Sequence, residues 1–267
     1  MKNAYKRIVV KVGTSSLTND RMKTDLQEFD KLAFVLSDLH NRGHEIILVT
    51  SGAIAIGTNV LGLSNLPNQM KYKQAAAAVG QSSMMFLYDK FFHDYDKKVA
   101  QILLNAQDIE QEEKKENLTN TFSTLLEMGI IPIVNENDSV SYTEIESEDR
   151  LFGDNDMLSA VVAVLCEADD LIILSDIDGF YDRDPCLYPD ANLIRQIDRI
   201  TDETFELAGG AGSRRGTGGM RTKLQAASLA SAQTIDVRVI NGKHPELLLK
   251  IVDGEDHGTL FPGVKRY

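Results

Sequence analysis

Two cysteines in 267 residues are too few for a disulfide framework, and Cys166 and Cys186 stand in no CxxC or zinc-ligand spacing. Basic residues are outnumbered. There are 28 Lys and Arg against 40 Asp and Glu, a formal net charge of -12. That balance lacks the basic footprint of a nucleic-acid binder. No stretch approaches the roughly 20 apolar residues of a membrane span. The N-terminus carries only the short apolar stretch 8–10, which is not a signal peptide. His40 and His44 are four apart, but Gly43 lies between them and the Glu of a zinc-binding HExxH is missing. They read as a helix end and a turn. None of the five histidines is placed as a general base. The expectation is a soluble, cytoplasmic chain without nucleic acid, membrane or a dedicated metal motif.

Hydrophobic residues make up 43% of the chain, ample for a core. Short β-branched runs alternate with longer helical patterns. Strands are predicted at 7–12, 45–50, 99–104, 130–135, 171–174 and 237–240. Helices are predicted at 25–41, 70–95, 114–128, 155–166 and 220–232. In the first, Leu26, Phe29, Leu32, Ala33 and Leu36 recur at helical spacing, and Gly43 stops it. Gly129 ends the third, and the alanine run 75–78 permits close helix contact. This alternation predicts an α/β fold: a mostly parallel sheet with helices on both faces.

One segment stands out. Gly218-Gly219-Met220-Arg221-Thr222-Lys223 follows a loose Gly/Ser/Arg loop and opens a helix. Glycines let the backbone approach a bulky anion, and a helix start offers free N–H groups and the positive end of its dipole. Lys223 lies in the first turn, within reach of the same anion. The pattern is not a Walker A loop. The nearest approach to one is 52–57, where Thr58 stands in place of the lysine. On its own, Gly-Gly before a helix is also a common cap.

In open α/β sheets, ligands bind beyond the carboxyl ends of the strands. Polar and glycine residues gather there: Lys11 to Ser16, Thr50 to Ala53, Asn135 to Ser139, and Ser175 to Gly179. Phe152 to Asp156 precedes a helix. Ser51-Gly52 also reads as a turn and N-cap, Asp154-Asn155-Asp156 as ordinary capping, and Asn135 to Asp138 as a surface turn. Arg214 and Arg215 read as solvated loop charges or as an ATP-side contact. Lys11 is the least ordinary. It interrupts a strand that should be buried on both faces, where a lysine needs an anionic partner.

Together, Lys11-Val12-Gly13-Thr14-Ser15-Ser16, Thr50-Ser51-Gly52-Ala53, Val134-Asn135-Glu136-Asn137-Asp138, Phe152-Gly153-Asp154-Asn155-Asp156 and Thr217-Gly218-Gly219-Met220-Arg221-Thr222-Lys223 occur in order. In that register they resemble the glutamate-phosphorylating members of the amino acid kinase family, over nearly the whole chain. The resemblance implies an αβα sandwich around a mainly parallel sheet, in a single domain, 1–267. Many relatives carry a C-terminal PUA domain; this chain stops at Tyr267, and the catalytic domain alone is expected. The resemblance implies that Lys11 and Lys223 hold the ATP phosphates and the transferring phosphoryl group, and that Asp156 orients both lysines. Ser51, Asp138 and Asn155 would bind L-glutamate. Ser175, Asp176, Thr217, Gly218, Gly219, Met220, Arg221, Thr222 and Lys223 would line the nucleotide site. Mg²⁺ would enter with ATP, L-proline would be a feedback inhibitor acting around 136–153, and the chain would be a dimer or tetramer. The segments 141–150 and 177–189 are not assigned a conformation.

The implied chemistry suits the residues. A glutamate carboxylate has an ordinary pKa of about 4.3 and is already a nucleophile at pH 7, so no general base is needed. The difficulty is bringing two anions together, which calls for lysines, Mg²⁺ and N–H groups. Acetylglutamate, aspartate, carbamate and uridylate kinases share the implied fold. The first-strand ending Lys-Val-Gly-Thr-Ser-Ser favours glutamate over the first two. A noncatalytic ATP or amino-acid sensor is the rival of another class. Such a protein is expected to lose Lys11, Asp156 or Lys223, and all three are present.

Overall fold

The computed structural model describes residues 5–19, 23–63, 66–67, 69–140, 155–208 and 219–264. β1 (Arg7–Val12) passes through the one-turn α1 (Thr14–Leu17) into α2 (Leu26–Asn41) and β2 (Glu45–Thr50). α3 (Ala53–Val60) and the long α4 (Met70–Asp94) lead to β3 (Val99–Leu104). α5 (Ala106–Glu110), α6 (Glu112–Glu127), β4 (Ile131–Glu136), α7 (Asn155–Leu165) and β5 (Asp170–Ser175) follow. Next comes a small hairpin, β6 (Phe180–Tyr181) and β7 (Leu193–Ile194), then α8 (Asp202–Ala208). α9 (Gly219–Ser231), β8 (Asp236–Asn241), α10 (Leu247–Val252) and β9 (Thr259–Phe261) complete the described chain.

The main sheet has the order β3-β4-β2-β1-β5-β8-β9. Every pairing in it is parallel except β8 with β9. β1 is central, between β2 and β5, so its carboxyl end lies where the strand order reverses. That crevice is where open α/β sheets bind ligands.

Strand side chains alternate between two cores. Ile8, Val10 and Val12 join Ile46, Leu48, Ile172 and Leu174 on the face covered by α2, α3, α4 and α10. Val9 joins Ile47, Val49, Leu171 and Ile173 on the face covered by α6, α7 and α9. Both faces of the sheet are therefore dry, as in other parallel sheets, and the layers are αβα. The same period of two places Lys11 on the face of Val9, beneath α7 and α9.

The helix ends follow local chemistry. Asp25 caps α2 by accepting from Gln27 N at 3.1 Å. Gly43 ends that helix at φ +96°, a left-handed conformation that a Cβ penalises. His40 lies in the helix's last turn and His44 just before β2. Cys166 closes α7 as a buried thiol, its pKa pushed up to about 12 by burial.

α3 and α4 cross with almost no gap. A Cβ on Gly57 would lie 1.8 Å from the Ala76 carbonyl oxygen. One on Gly80 would lie 1.8 Å from the Ala53 carbonyl oxygen. Ala76 and Ala77 are buried at this crossing, as the alanine run predicted. The consequence is positional. The start of α3, just past β2, is locked against the middle of α4, and Gln81 is carried to the end of the sheet.

Some elements depart from the sequence expectation. Ser51-Gly52 is the turn read there, with Gly52 at the N-cap position of α3, a helix that was not predicted, and α5 precedes the helix predicted from 114. Within 177–189, Phe180–Tyr181 pairs antiparallel with Leu193–Ile194. The 141–150 segment lies outside the described residues.

Candidate active site

β1 delivers Lys11 at its carboxyl end, and α7 delivers Asp156 in its first turn. α9 delivers Lys223 one turn after Gly219. The three side chains meet. Lys11 Nζ stands 2.7 Å from Asp156 Oδ1, and Lys223 Nζ 3.0 Å from Asp156 Oδ2. Asp156 is fully buried, and Lys11 and Lys223 are 5% and 8% exposed. A buried carboxylate alone would hold its proton. Here burial raises the Asp156 pKa, but Lys11 and Lys223 more than offset it and hold the group below the ordinary carboxylate value. Two ammonium groups against one carboxylate leave one net positive charge, inside a chain of net charge -12. Removing Asp156 would leave two buried ammonium groups uncompensated, at a cost of about 3–5 kcal/mol.

The local fold explains the aim of these groups. Lys223 curls back over its own first turn and donates to the Gly219 carbonyl at 3.1 Å. Thr222 donates its hydroxyl to Asp156 Oδ2 at 2.9 Å and lies 3.2 Å from Gly219 O. Asp156 thus gathers two cations and a hydroxyl at the N-terminus of α9. Its position there also faces the positive end of that helix dipole.

Asn155, the neighbour of Asp156, organises the other half of the crevice. Its Nδ2 lies 2.7 Å from Thr50 O, 2.8 Å from Ser51 Oγ and 3.0 Å from Asn135 Oδ1. Asn135 in turn donates from Nδ2 to Gln81 Oε1 at 2.8 Å. Ser51 sits at the turn into α3, where Gly52 takes φ +104°. Its oxygen accepts from Asn155, which leaves its hydroxyl hydrogen for another acceptor. Thr50, fully buried, is fixed by Tyr88 OH at 2.7 Å.

Asp138 follows β4 in a turn. It lines a cleft with Ala53, Ala77, Gln81, Leu103 and Asn137 among its walls. Burial holds the Asp138 pKa above its ordinary value. An incoming ammonium would reverse that penalty.

The remaining sequence candidates are spread more widely. Ser175 ends β5, with its hydroxyl 3.1 Å from Asp176 Oδ1 and its carbonyl accepting from Gly242 N at 2.7 Å. Both residues follow the β1–β5 register, beside the end of β1. Arg221 turns away from Asp156, and its guanidinium stacks 5.6 Å from the Phe205 ring centroid on α8. Met220 packs against the core under α7 and α9. Thr217 and Gly218 lie outside the described residues, as do Gly153, Asp154, Arg214 and Arg215. Thr222 was expected at the nucleotide site, and its hydrogen bond to Asp156 was not foreseen. Gln81 was not singled out by sequence. Gln81 carried one faint signal, an amide placed directly after the small-residue run of α4.

A model of the amino acid kinase family matches residues 6–241. The chain is 53% identical over 260 residues to a glutamate 5-kinase of Clostridium perfringens, which covers 97% of this chain and 96% of that one. It is 50% identical over 256 residues to a glutamate 5-kinase of Enterococcus faecalis, covering 96% of this chain and 94% of the relative. Among solved structures, carbamate kinase from Giardia lamblia bound to AMP-PNP aligns with a TM-score of 0.69 at 14% identity. That alignment covers 99% of this chain and 100% of the other, and shows a shared fold.

Proposed function

The chain belongs to the amino acid kinase family, and we propose that it transfers the γ-phosphoryl group of ATP to the side-chain carboxylate of L-glutamate. The product is the acyl phosphate L-glutamyl 5-phosphate, and the reaction is the first step of proline biosynthesis. Mg-ATP is the co-substrate. Asp156 turns both oxygens toward ammonium groups, so magnesium would enter with ATP rather than on this carboxylate. It would neutralise part of the phosphate charge.

The observation that carries the reading is the Lys11–Asp156–Lys223 bridge. An ammonium has three N–H donors. Lys223 directs one to Asp156 and one to Gly219 O, and the third serves a phosphoryl oxygen. Lys11 approaches from the opposite carboxylate oxygen. The phosphoryl in flight is met by two cations whose separation Asp156 fixes before ATP arrives. That is preorganised electrostatic stabilisation, and little else is needed for phosphoryl transfer. The glutamate carboxylate attacks as the anion it already is. Ser51, Asn155 and Asp138 hold the substrate, with Asp138 facing its ammonium. Ser175, Asp176 and the start of α9 face the nucleotide.

The same reading includes inhibition by L-proline through 136–153, of which 136–140 are described, and a homo-oligomer. Among the described residues no helix is long and apolar enough to cross a membrane, and a pool of ATP and glutamate places the reaction in the cytoplasm. The test is purified protein with Mg-ATP and hydroxylamine, offered L-glutamate, N-acetyl-L-glutamate, L-aspartate and UMP. Hydroxylamine traps an acyl phosphate as a hydroxamate, and ADP release covers UMP. Hydroxamate with L-glutamate alone is expected. Folded protein that binds ATP and turns over none of the four would overturn the reading in favour of a sensor.

A further inference from the structure

The amides of Asn155, Asn135 and Gln81 form a relay whose direction is fixed at one end. A backbone carbonyl only accepts, so Thr50 O forces the NH₂ side of Asn155 toward it. The same Asn155 nitrogen lies 3.0 Å from Asn135, which must therefore present oxygen. Asn135 then presents its NH₂ to Gln81, which must answer with Oε1. Rotating Asn155 would set acceptor against acceptor, and rotating Asn135 or Gln81 would set donor against donor. At the end of the relay, Gln81 Nε2 is obliged to be a donor. It is shut off from water and has no hydrogen-bond partner among the described residues.

Gln81 lines the same cleft as Asp138. A buried donor that no described residue satisfies is available to what enters that cleft. Asp138 supplies the anionic partner for an ammonium there. In an α-amino acid the carboxylate is attached to the same carbon as the ammonium. A group beside the ammonium site therefore meets the α-carboxylate, while the side-chain carboxylate extends toward Lys11.

We infer that Gln81 is a specificity-determining residue of the glutamate site, and that its Nε2 donates to the substrate's α-carboxylate. The inference rests on the proposed glutamate reading, and adds to it the group that recognises the amino-acid end. Asn135 and Asn155 act through Gln81 as positioning residues, since they hold its amide in the donating sense. A simple bystander glutamine would be free to flip. This one is not.

The test uses Gln81→Glu, which keeps shape and still accepts from Asn135 but replaces the donor with an anionic oxygen. Wild-type protein must first give hydroxamate with L-glutamate. Its failure there would strike the glutamate reading itself, independently of Gln81. With active wild type, Q81E is expected to raise the glutamate KM by about 30-fold or more, with the ATP KM within about threefold. L-Glutamate α-amide, whose NH₂ can donate to the new carboxylate, should gain on L-glutamate in kcat/KM by about tenfold or more. A purely structural role would not produce that gain. If Q81E does not fold, Gln81→Met is read the same way, with a rise in glutamate KM of about tenfold expected. An unchanged glutamate KM in either folded variant, or an effect on ATP alone, overturns the inference.

Discussion

The two halves of the crevice are built from different materials. At the proposed phosphate end, Lys11, Asp156 and Lys223 are full charges, almost wholly buried, each holding another in place. At the proposed glutamate end, Asn155, Asn135 and Gln81 are neutral amides in a row, with the Asp138 carboxylate lining the same cleft as Gln81. On that reading the difference follows from what each half would recognise. The phosphoryl group gains and spreads charge as it transfers, so fixed charges act most strongly in the transition state. Glutamate keeps its α-carboxylate and ammonium unchanged throughout. Dipoles of fixed direction suffice to orient it, and they avoid burying further charge. One residue pair joins the halves. Asn155 and Asp156 are adjacent at the start of α7, so the same helix end sets both registers.

The comparison is broken most severely at the charged end. Lys223→Ala is expected to lower kcat by about 10²–10³-fold, the usual loss for one preorganised donor, with the glutamate KM changed far less. Lys223→Arg should not restore the rate, because a planar guanidinium cannot occupy the point position between Asp156 and Gly219 O. Steady-state kinetics with circular dichroism to confirm folding decides this. Near-normal kcat in a folded K223A protein would remove Lys223 from the chemistry and with it the electrostatic account.

At the amide end the expected signature is the reverse. Asp138→Ala should raise the glutamate KM by about 10–100-fold, the scale of one hydrogen bond to a charged group, while kcat at saturation and the ATP KM stay within a few-fold. An effect confined to ATP would place Asp138 on the wrong side of the crevice. The contrast is sharp because K223A and D138A then move different kinetic constants in one protein.

Legibility in the sequence follows the range of the interaction. The long helices and central strands were readable because their periodicity is local, repeated and backed by burial on both faces of the sheet. The short elements were not. α3 is only eight residues long and follows Gly52, read as a turn and N-cap, and β6, β7 and β9 are two or three residues long and exist by pairing with distant partners. Lys11 was readable because a charge in a doubly buried strand demands an explanation. Asp156 and Lys223 were read through motifs in register, and they meet Lys11 in the fold. Arg221 shares a motif with Lys223, yet two residues along a helix face apart, and it stacks on Phe205 instead. Gln81 was barely readable, an amide just after a small-residue run. Its meaning lies in Asn135, 54 positions away, and in the direction of an amide that only Thr50 O determines.

The smallest effect separates the two carboxylates by pH. Burial raises the Asp138 pKa above its ordinary 3.8, whereas Lys11 and Lys223 overcome burial and lower that of Asp156. On acidification Asp138 therefore protonates first. The glutamate KM should climb as pH falls through the raised Asp138 value, and kcat at saturating glutamate should persist to lower pH. Asp138→Asn should show a high KM that is flat across the same window, which separates the enzyme's titration from that of the substrate. The stability consequences have opposite signs. Asp156, lowered in the folded protein, contributes stability above its unfolded value and loses it as pH falls through the folded one. Asp138, raised in the folded protein, costs stability while ionised, and the cost disappears as pH falls below its unfolded value. Asp138→Asn should thus melt about 1–3 °C higher than wild type at pH 7–8, on the scale where 1 kcal/mol moves Tm by roughly 2–4 °C in a chain of this size. The gap should close as pH approaches 4. Thermal melts of both proteins between pH 4 and 8, without ligand, check it. A D138N protein that melts lower than wild type at pH 8 would mean that Asp138 already has a cationic partner in the folded chain, and its assignment to the substrate ammonium would lose its basis.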